Sequence, residues 1–273
     1  MSLPRLALMI VVGITYGVIA ASLLAHAPPL WFLVALLTTL AVCVNLGIFF
    51  LNLGVFVDVV SEREPGQRAV ALTFDDGPHP VHTRRVLDAL DAAGAKATFF
   101  VIGAKASEHP DVVAEIVRRG HEVGLHSHVH DHLLFMRHES KIVRDLVRTQ
   151  DAIERAAGVR PKLFRPPVGF TSPRTRVAVK ELGLVVVGWS ARAFDGAGRP
   201  SAEQVVARIE PELRDGAIVL LHDSAERGDT PPTSIDALAE LLQLLRQRGL
   251  NSVTVSALMG GAEERAVVAQ VAR

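Results

Sequence analysis

The apolar run AVALTF (69–74) ends in two adjacent carboxylates, Asp75 and Asp76, followed by Gly77 and Pro78. Consecutive residues at a strand end point in different directions, so one carboxylate can bind a cation while the other faces a reacting centre. A surface Asp-Asp-Gly turn is the plainer alternative. Further on, GLHSHVHDH (124–132) holds four histidines in seven residues: His126, His128, His130 and His132. Histidines four apart share a helix face, and histidines two apart share a strand face. The stretch therefore offers several ligand pairs and does not choose between them; a histidine-rich surface loop is its plainer reading. Two imidazoles plus one carboxylate, with positions left open for water, form a site for a catalytic divalent metal. Zinc fits, as do cobalt, nickel and manganese. Asp76 with two of the four histidines would complete the set and leave Asp75 as a base toward water. Arg165 would keep Asp75 ionised, because a nearby cation lowers a carboxylate's pKa; otherwise it is a strand-end ion pair. His222 could protonate a leaving group, although a lone histidine is more often a core residue with satisfied hydrogen bonds.

These residues need elements to bring them together. Short β-rich runs occur at 69–74, 97–102, 121–126, 162–166, 184–189, 217–222 and 252–255. Amphipathic helical stretches lie between most of them, at 81–94 (with Val81, Val86, Leu87 and Leu90 on one face), 106–120, 140–158 and 233–249. Gly94, Gly120, Gly158 and Gly249 close these helices as left-handed caps. The alternation predicts a parallel α/β sheet, and the continuous apolar strands predict that both faces are covered, in a barrel or a doubly wound sheet. Ligands in such folds meet the carboxyl ends of the strands. Asp75 and Asp76 follow the first run, His126 the third, Arg165 the fourth, Trp189 and Asp195 the fifth, and His222 with Asp223 the sixth. The candidate groups converge at one end of the sheet.

Taken in order and spacing, TFDDGPHP, GHEVGLHSHVH, LFRPPVG, VVGWSARAFDG and AIVLLHDS resemble the five motifs of the NodB-type polysaccharide deacetylases, carbohydrate esterase family 4. The resemblance runs from about Ala69 to Val255. It implies a distorted (β/α) barrel of about seven strands, with Asp75 as catalytic base and Asp76 as metal ligand. The family's His-Ser/Thr-x-x-His motif falls on His126, Ser127 and His130, which makes His128 and His132 bystanders. Arg165 takes the place of the third motif's arginine. Val168 stands where an aromatic residue is usual; its backbone N–H can serve an oxyanion hole, but an aromatic contact with sugar is lost. Leu220 would line the acetyl pocket, Trp189 would be a further substrate-binding residue, and His222 would be the general acid. The fourth motif departs from the usual Trp-x-x-Asp-x-x-Asp-Trp: Arg192 replaces the aspartate expected to tune the catalytic histidine. Asp195 matches the second aspartate and is expected to substitute.

The N-terminal part has a different composition. Between Arg5 and Asp58 there is no charged residue. Stretches 6–25 and 30–57 are each long enough to cross a bilayer, with His26-Ala27-Pro28-Pro29 as the break. Residues 1–60 are thus expected to form a two-helix anchor, 61–68 a linker, 69–258 the catalytic domain and 259–273 a tail. A cleaved signal peptide ending near Ala25-His26-Ala27 is the alternative, but the apolar run exceeds a usual signal. Net charge is zero, which excludes a basic footprint for nucleic acid, and the sole cysteine, Cys43, cannot form a disulfide within the chain.

The expected function is metal-dependent hydrolysis of an N-acetyl group from an amino sugar in a cell-envelope polysaccharide. The alternatives are deacylation or deformylation of a polyprenyl-linked amino sugar, and a non-catalytic, membrane-tethered carbohydrate-binding module. The expected partners are an amino-sugar glycan or lipid-linked sugar and membrane lipid. The expected location is the cytoplasmic (inner) membrane. Arg5, Arg63 and Arg68 flank the anchor on the domain's side and favour a cytoplasmic domain. Substrate logic favours an extracytoplasmic one, which is the expectation adopted.

Overall fold

The computed structural model describes residues 3–24, 29–196 and 200–260. Helices α1 (Leu3–Leu24) and α2 (Leu30–Phe49) come first, followed by the strand β1 (Val59–Val60). The alternating part begins with β2 (Ala69–Asp75), α3 (His82–Ala92), β3 (Ala97–Val101), α4 (Gly103–Glu108), α5 (Pro110–Arg118) and β4 (Glu122–Leu125). It continues through α6 (Glu139–Ala157), β5 (Leu163–Phe164), α7 (Pro173–Leu182), β6 (Val185–Val187), β7 (Ala191–Arg192) and α8 (Ala202–Ile209). It ends with β8 (Ile218–His222), α9 (Ser234–Gln247), β9 (Asn251–Ser252) and α10 (Val255–Met259).

The strands pair in the order β1-β6-β5-β4-β3-β2-β8-β7, all parallel, and β9 adds to the start of β2. Just after β1, Glu62 bridges antiparallel to Ala217, and the Arg63 N–H donates to the Gly216 carbonyl at 2.8 Å. The chain following one edge strand thus reaches the residue preceding β8, and the sheet curls into a distorted, incompletely closed barrel. A side chain on Gly216 would strike the Arg63 carbonyl, so this crossing demands glycine. Among the described residues nine strands replace the expected seven: β1 and β7 are two-residue pieces, too short to show a hydrophobic period.

Alternation along β2 separates two cores. Val70, Leu72 and Phe74 pack outward against the helices, with Val86, Leu87 and Leu90 of α3. Ala69 and Ala71 face the barrel interior with Phe100, Leu163, Val187 and Ile218, and Val255, Leu258 and Met259 plug its lower end. By the same period, Thr73 and Asp75 belong to the interior face, which brings Asp75 up at the open mouth. Val81, expected on the buried face of its helix, lies before α3 and is 58% exposed. The helix expected at 106–120 is two helices, α4 and α5, broken at His109 before Pro110. Gly94, Gly120, Gly158 and Gly249 all take the left-handed conformation.

The second apolar helix ends at Phe49 instead of reaching Val57. Leu51–Leu53 form a 3₁₀ turn and Gly54 is left-handed; Leu51 and Val57 are buried in a core of the barrel domain, and Val55 and Phe56 are buried against Gly47 of α2. Apolar residues are selected alike by a bilayer and by a protein core, so hydropathy carried the expected helix too far. The stretch expected as a linker, 61–68, includes the Glu62 and Arg63 crossing and is part of the domain. Beyond Gly260 the expected tail lies outside the described residues.

Candidate active site

Asp76, His126 and His130 meet at the mouth. Asp76 follows β2, His126 follows β4, and His130 lies in the loop beyond it. Asp76 Oδ1 stands 3.2 Å from His130 Nε2 and 3.5 Å from His126 Nε2. All three residues are buried, and Asp76 Oδ1 has no hydrogen-bond partner. Ligand atoms ~2.0–2.1 Å from a tetrahedral ion lie about 3.3–3.4 Å apart, which matches these separations. The His126 Nδ1–H donates to the Arg165 carbonyl at 2.8 Å, and this leaves Nε2 with its lone pair toward the gap. Burial lowers both imidazoles to about 3, so they are neutral, as ligands must be. Burial raises Asp76 to about 7; a bound cation would return it to the ionised form. The donor set and the orphaned oxygen fit a divalent metal.

Asp75 shares its strand end but points the other way. Its Oδ1 accepts from Arg165 Nη1 at 2.8 Å, and the same nitrogen donates to Thr73 Oγ1 at 2.7 Å. Arg165 Nη2 donates to the Gly188 carbonyl at 2.8 Å, and the guanidinium lies 4.3 Å from the Phe100 ring centroid. Arg165 is fully buried, so its orientation is fixed by donors and stacking together. Burial raises Asp75 above the usual carboxylate range, and Arg165 opposes the rise. The free Oδ2 lies 3.9 Å from His126 Nε2.

Across the mouth, the His222 Nδ1–H donates to Asp195 Oδ1 at 3.0 Å, and the His222 backbone N–H donates to Asp195 Oδ2 at 3.0 Å. His222 Nε2 points into the site, 4.0 Å from Asp76 Oδ2. Burial pulls this imidazole down, but Asp195, by charge and hydrogen bond, and then Asp76 and Asp75 carry it up to about 10. A side chain on Gly196 would fall 2.8 Å from the ring, so the glycine next to Asp195 gives the imidazole its room. Six described non-glycine residues have positive φ, and five of them sit in the mouth loops: Asp76, Ser127, His130, Val168 and Phe194. Backbone strain of this kind concentrates where a constellation must be held.

The family model described as polysaccharide deacetylase matches residues 62–187. A peptidoglycan-N-acetylglucosamine deacetylase of Bacillus cereus is 36% identical over 205 residues, covering 74% of this chain and 92% of that protein. The chain belongs to the polysaccharide deacetylase family. The peptidoglycan-N-acetylmuramic acid deacetylase PdaC of Bacillus subtilis is 35% identical over 195 residues; the match covers 71% of this chain but 39% of that longer protein. Among solved structures, a family 4 acetyl xylan esterase of Clostridium thermocellum, bound to a cobalt ion, aligns with a TM-score of 0.64 and 38% identity, covering 70% of this chain and 90% of that one. The expected distorted α/β barrel and the hydrolase class of a polysaccharide deacetylase therefore stand.

The remaining expected residues can be set against this family frame. Val168 (φ 51), Trp189, Leu220 and Arg192 line the mouth cavity with the groups above. His128 is turned away: its backbone N–H donates to Asp145, and its ring packs on Gly103. His132 stands at the rim, with Nε2 2.9 Å from Glu226 Oε2. Three contributors escaped the sequence reading. Glu226 Oε1 lies 3.4 Å from His130 Nδ1, the place of an outer carboxylate if that imidazole were to hold a metal. Lys105 donates to the Asp76 carbonyl, Ser224 Oγ and the Ala225 carbonyl, and so ties the loop after β2 to the loop after β8. The Ser234 hydroxyl donates to the His222 carbonyl at 2.6 Å. These partners lie far from their targets in sequence, and no periodicity marks them.

Proposed function

We propose that this chain is a membrane-anchored, metal-dependent N-deacetylase acting on amino sugars of peptidoglycan or a chitin-like envelope glycan. One observation carries the reading. The buried, unpartnered Asp76 Oδ1 faces two neutral imidazoles, between an arginine-held carboxylate and an aspartate-held imidazole. Asp76, His126 and His130 would hold zinc, with cobalt, nickel or manganese as alternatives; the cobalt in the related esterase supports a first-row ion. Such an ion, when bound, polarises the amide carbonyl and eases deprotonation of water. Asp75 takes the proton of the attacking water while Arg165 keeps its carboxylate aimed. The Val168 N–H donates to the oxygen that gains charge as the carbonyl carbon becomes tetrahedral. Leu220 receives the acetyl methyl and Trp189 the sugar. His222 gives its Nε2 proton to the nitrogen as the C–N bond breaks, and acetate and a free amine leave.

Residues 1–60 supply the anchor in this reading, and 69–258 the catalytic domain. α1 and α2 are long and apolar enough to cross a membrane, and Met9, Tyr16, Trp31 and Leu37 are each more than half exposed. Twenty helical residues span about 30 Å, the thickness of a bilayer core. The helix pair is seated on the domain, which speaks against a cleaved signal. Arg5 pairs with Asp58 at 2.9 Å, the Thr171 N–H donates to the Ile48 carbonyl, and Phe49 stacks edge-on against Phe170. Thr171 and Phe170 follow Val168 in the loop at the mouth, so the anchor meets the domain beside the site. This contact favours the second reading, a lipid-linked amino sugar. The domain is proposed to lie outside the cytoplasm. A C-terminal alkaline phosphatase fusion should be active and a fluorescent-protein fusion dark; the reverse would move the substrate to a lipid-linked precursor. Mass spectrometry of chitooligosaccharide, peptidoglycan fragments and lipid-linked sugar incubated with the metal-loaded chain tests the chemistry. A loss of acetyl that chelation stops is expected, and unchanged masses throughout would refute it.

A further inference from the structure

The reaction as proposed leaves one cation in the site without employment. Arg192 opposes Leu220 in the β7–β8 register, and parallel neighbours in register share a face. Leu220 lines the mouth cavity, of about 630 Å³, and so does Arg192. His222 stands two residues further along β8, a rise of about 6.6 Å that an extended arginine covers. The guanidinium is stacked 3.9 Å from the Phe194 ring centroid and 6.0 Å from that of Trp189. Phe194 is itself at φ 57 and nearly half exposed, held where it can carry the arginine. Among the described residues no carboxylate lies within ion-pair distance of Arg192, and nothing offsets the burial that lowers it. The other cations around the site are engaged: Arg165 by Asp75, Lys105 by the Asp76 and Ala225 carbonyls, and Arg227 by Glu226.

We propose that Arg192 is a specificity residue that binds an anionic group on the acetylated sugar, attached to a carbon adjacent to the amide-bearing one. His222 protonates the departing nitrogen, so the ring carbons flanking that position turn toward the β7–β8 wall where Arg192 stands. A carboxylate on an ether-linked acid at one flanking carbon, or a phosphate at the other, reaches the guanidinium and accepts its paired N–H donors. The aspartate that family members commonly carry at this position would repel the same group. The inference rests on the deacetylase reading.

The test uses the zinc-loaded full chain in detergent with three acetylated sugars: a glycan of N-acetylmuramic acid (carboxylate), N-acetylglucosamine 1-phosphate (phosphate) and neutral chitotetraose. Wild type should favour at least one anionic sugar over the neutral one in kcat/KM by about tenfold or more. Arg192→Ala should bring that ratio toward one, mostly through KM, and Arg192→Lys should restore part of it. The preferred anion tells carboxylate from phosphate. Equal kcat/KM for charged and neutral sugars, or an equal loss on both in Arg192→Ala, would overturn the inference while leaving the deacetylase reading intact. If none of the three is turned over, that reading fails instead. Calorimetric Kd values on metal-loaded Asp75→Asn, with and without Arg192→Ala, then decide: tighter, Arg192-dependent binding of an anionic sugar sustains the inference, and equal binding ends it.

Discussion

On one side of the mouth, Asp75, Asp76, His126 and Arg165 sit at the ends of β2, β4 and β5, central strands buried on both faces. On the other, Arg192 and Asp195 hang on and beyond β7, a two-residue strand at the sheet's edge. The first side lies within the segment matched by the family model, 62–187; Arg192, Asp195 and His222 lie beyond it. Arg165 is locked by a carboxylate, a hydroxyl, two carbonyls and an aromatic face. Arg192 rests on rings alone. In the proposed reading, chemistry common to all substrates is set on rigid strand ends, while the groups that would tell substrates apart sit on loops and edges that can change without unfolding the barrel.

If this contrast is right, damage should be graded. Asp76→Ala should have the largest effect: no metal survives dialysis and turnover falls to background, read by metal analysis beside acetate release. Asp75→Asn should keep its metal and lose turnover by about 10²-fold or more. Near-normal rates there would remove Asp75 as base.

On the acid side the expected loss is smaller and depends on pH. Asp195, and after it Asp76 and Asp75, carry His222 up to about 10, so the imidazole stays protonated across neutral pH and the acid is lost only as pH climbs toward that value. Asp195→Asn removes the raising charge, and the alkaline limb of the pH–rate profile should move to lower pH. An unmoved limb would mean that Asp195 does not tune His222. Smallest of all is Glu226→Gln, which should keep the fold and weaken metal affinity by about tenfold, measured by competition with a chelator. His128→Ala should leave that affinity as it was.

The same contrast explains what could be read from sequence. Carboxylates and imidazoles that close apolar runs were legible because a strand end fixes where they go, and the role of Asp195 was legible only through the resemblance of the fourth motif. Arg192 was legible as a departure, but its stacking on Phe194 was not, since that depends on a positive φ at a bulky residue. Lys105 and Glu226 were invisible because they act on loops 120 and 96 residues away or thereabouts in the chain. The apolar run through Val57 was read as one helix because membrane and core burial ask for the same side chains. Its last residues instead fasten the domain beside its own mouth, through Leu51 against Gly169 and Asn52 Nδ2 donating to the Trp189 carbonyl at 2.5 Å.

Among the described residues two clusters have the composition of a metal site: Asp76, His126 and His130 within the mouth, and His130, His132 and Glu226 at its rim. An anomalous difference map at the zinc edge, from crystals of the zinc-loaded protein, separates them directly. A single peak is expected ~2.0–2.2 Å from Asp76 Oδ1, His126 Nε2 and His130 Nε2. A peak on His132 and Glu226 instead, or none at the mouth, would contradict the metal-centred reaction on which the whole account stands.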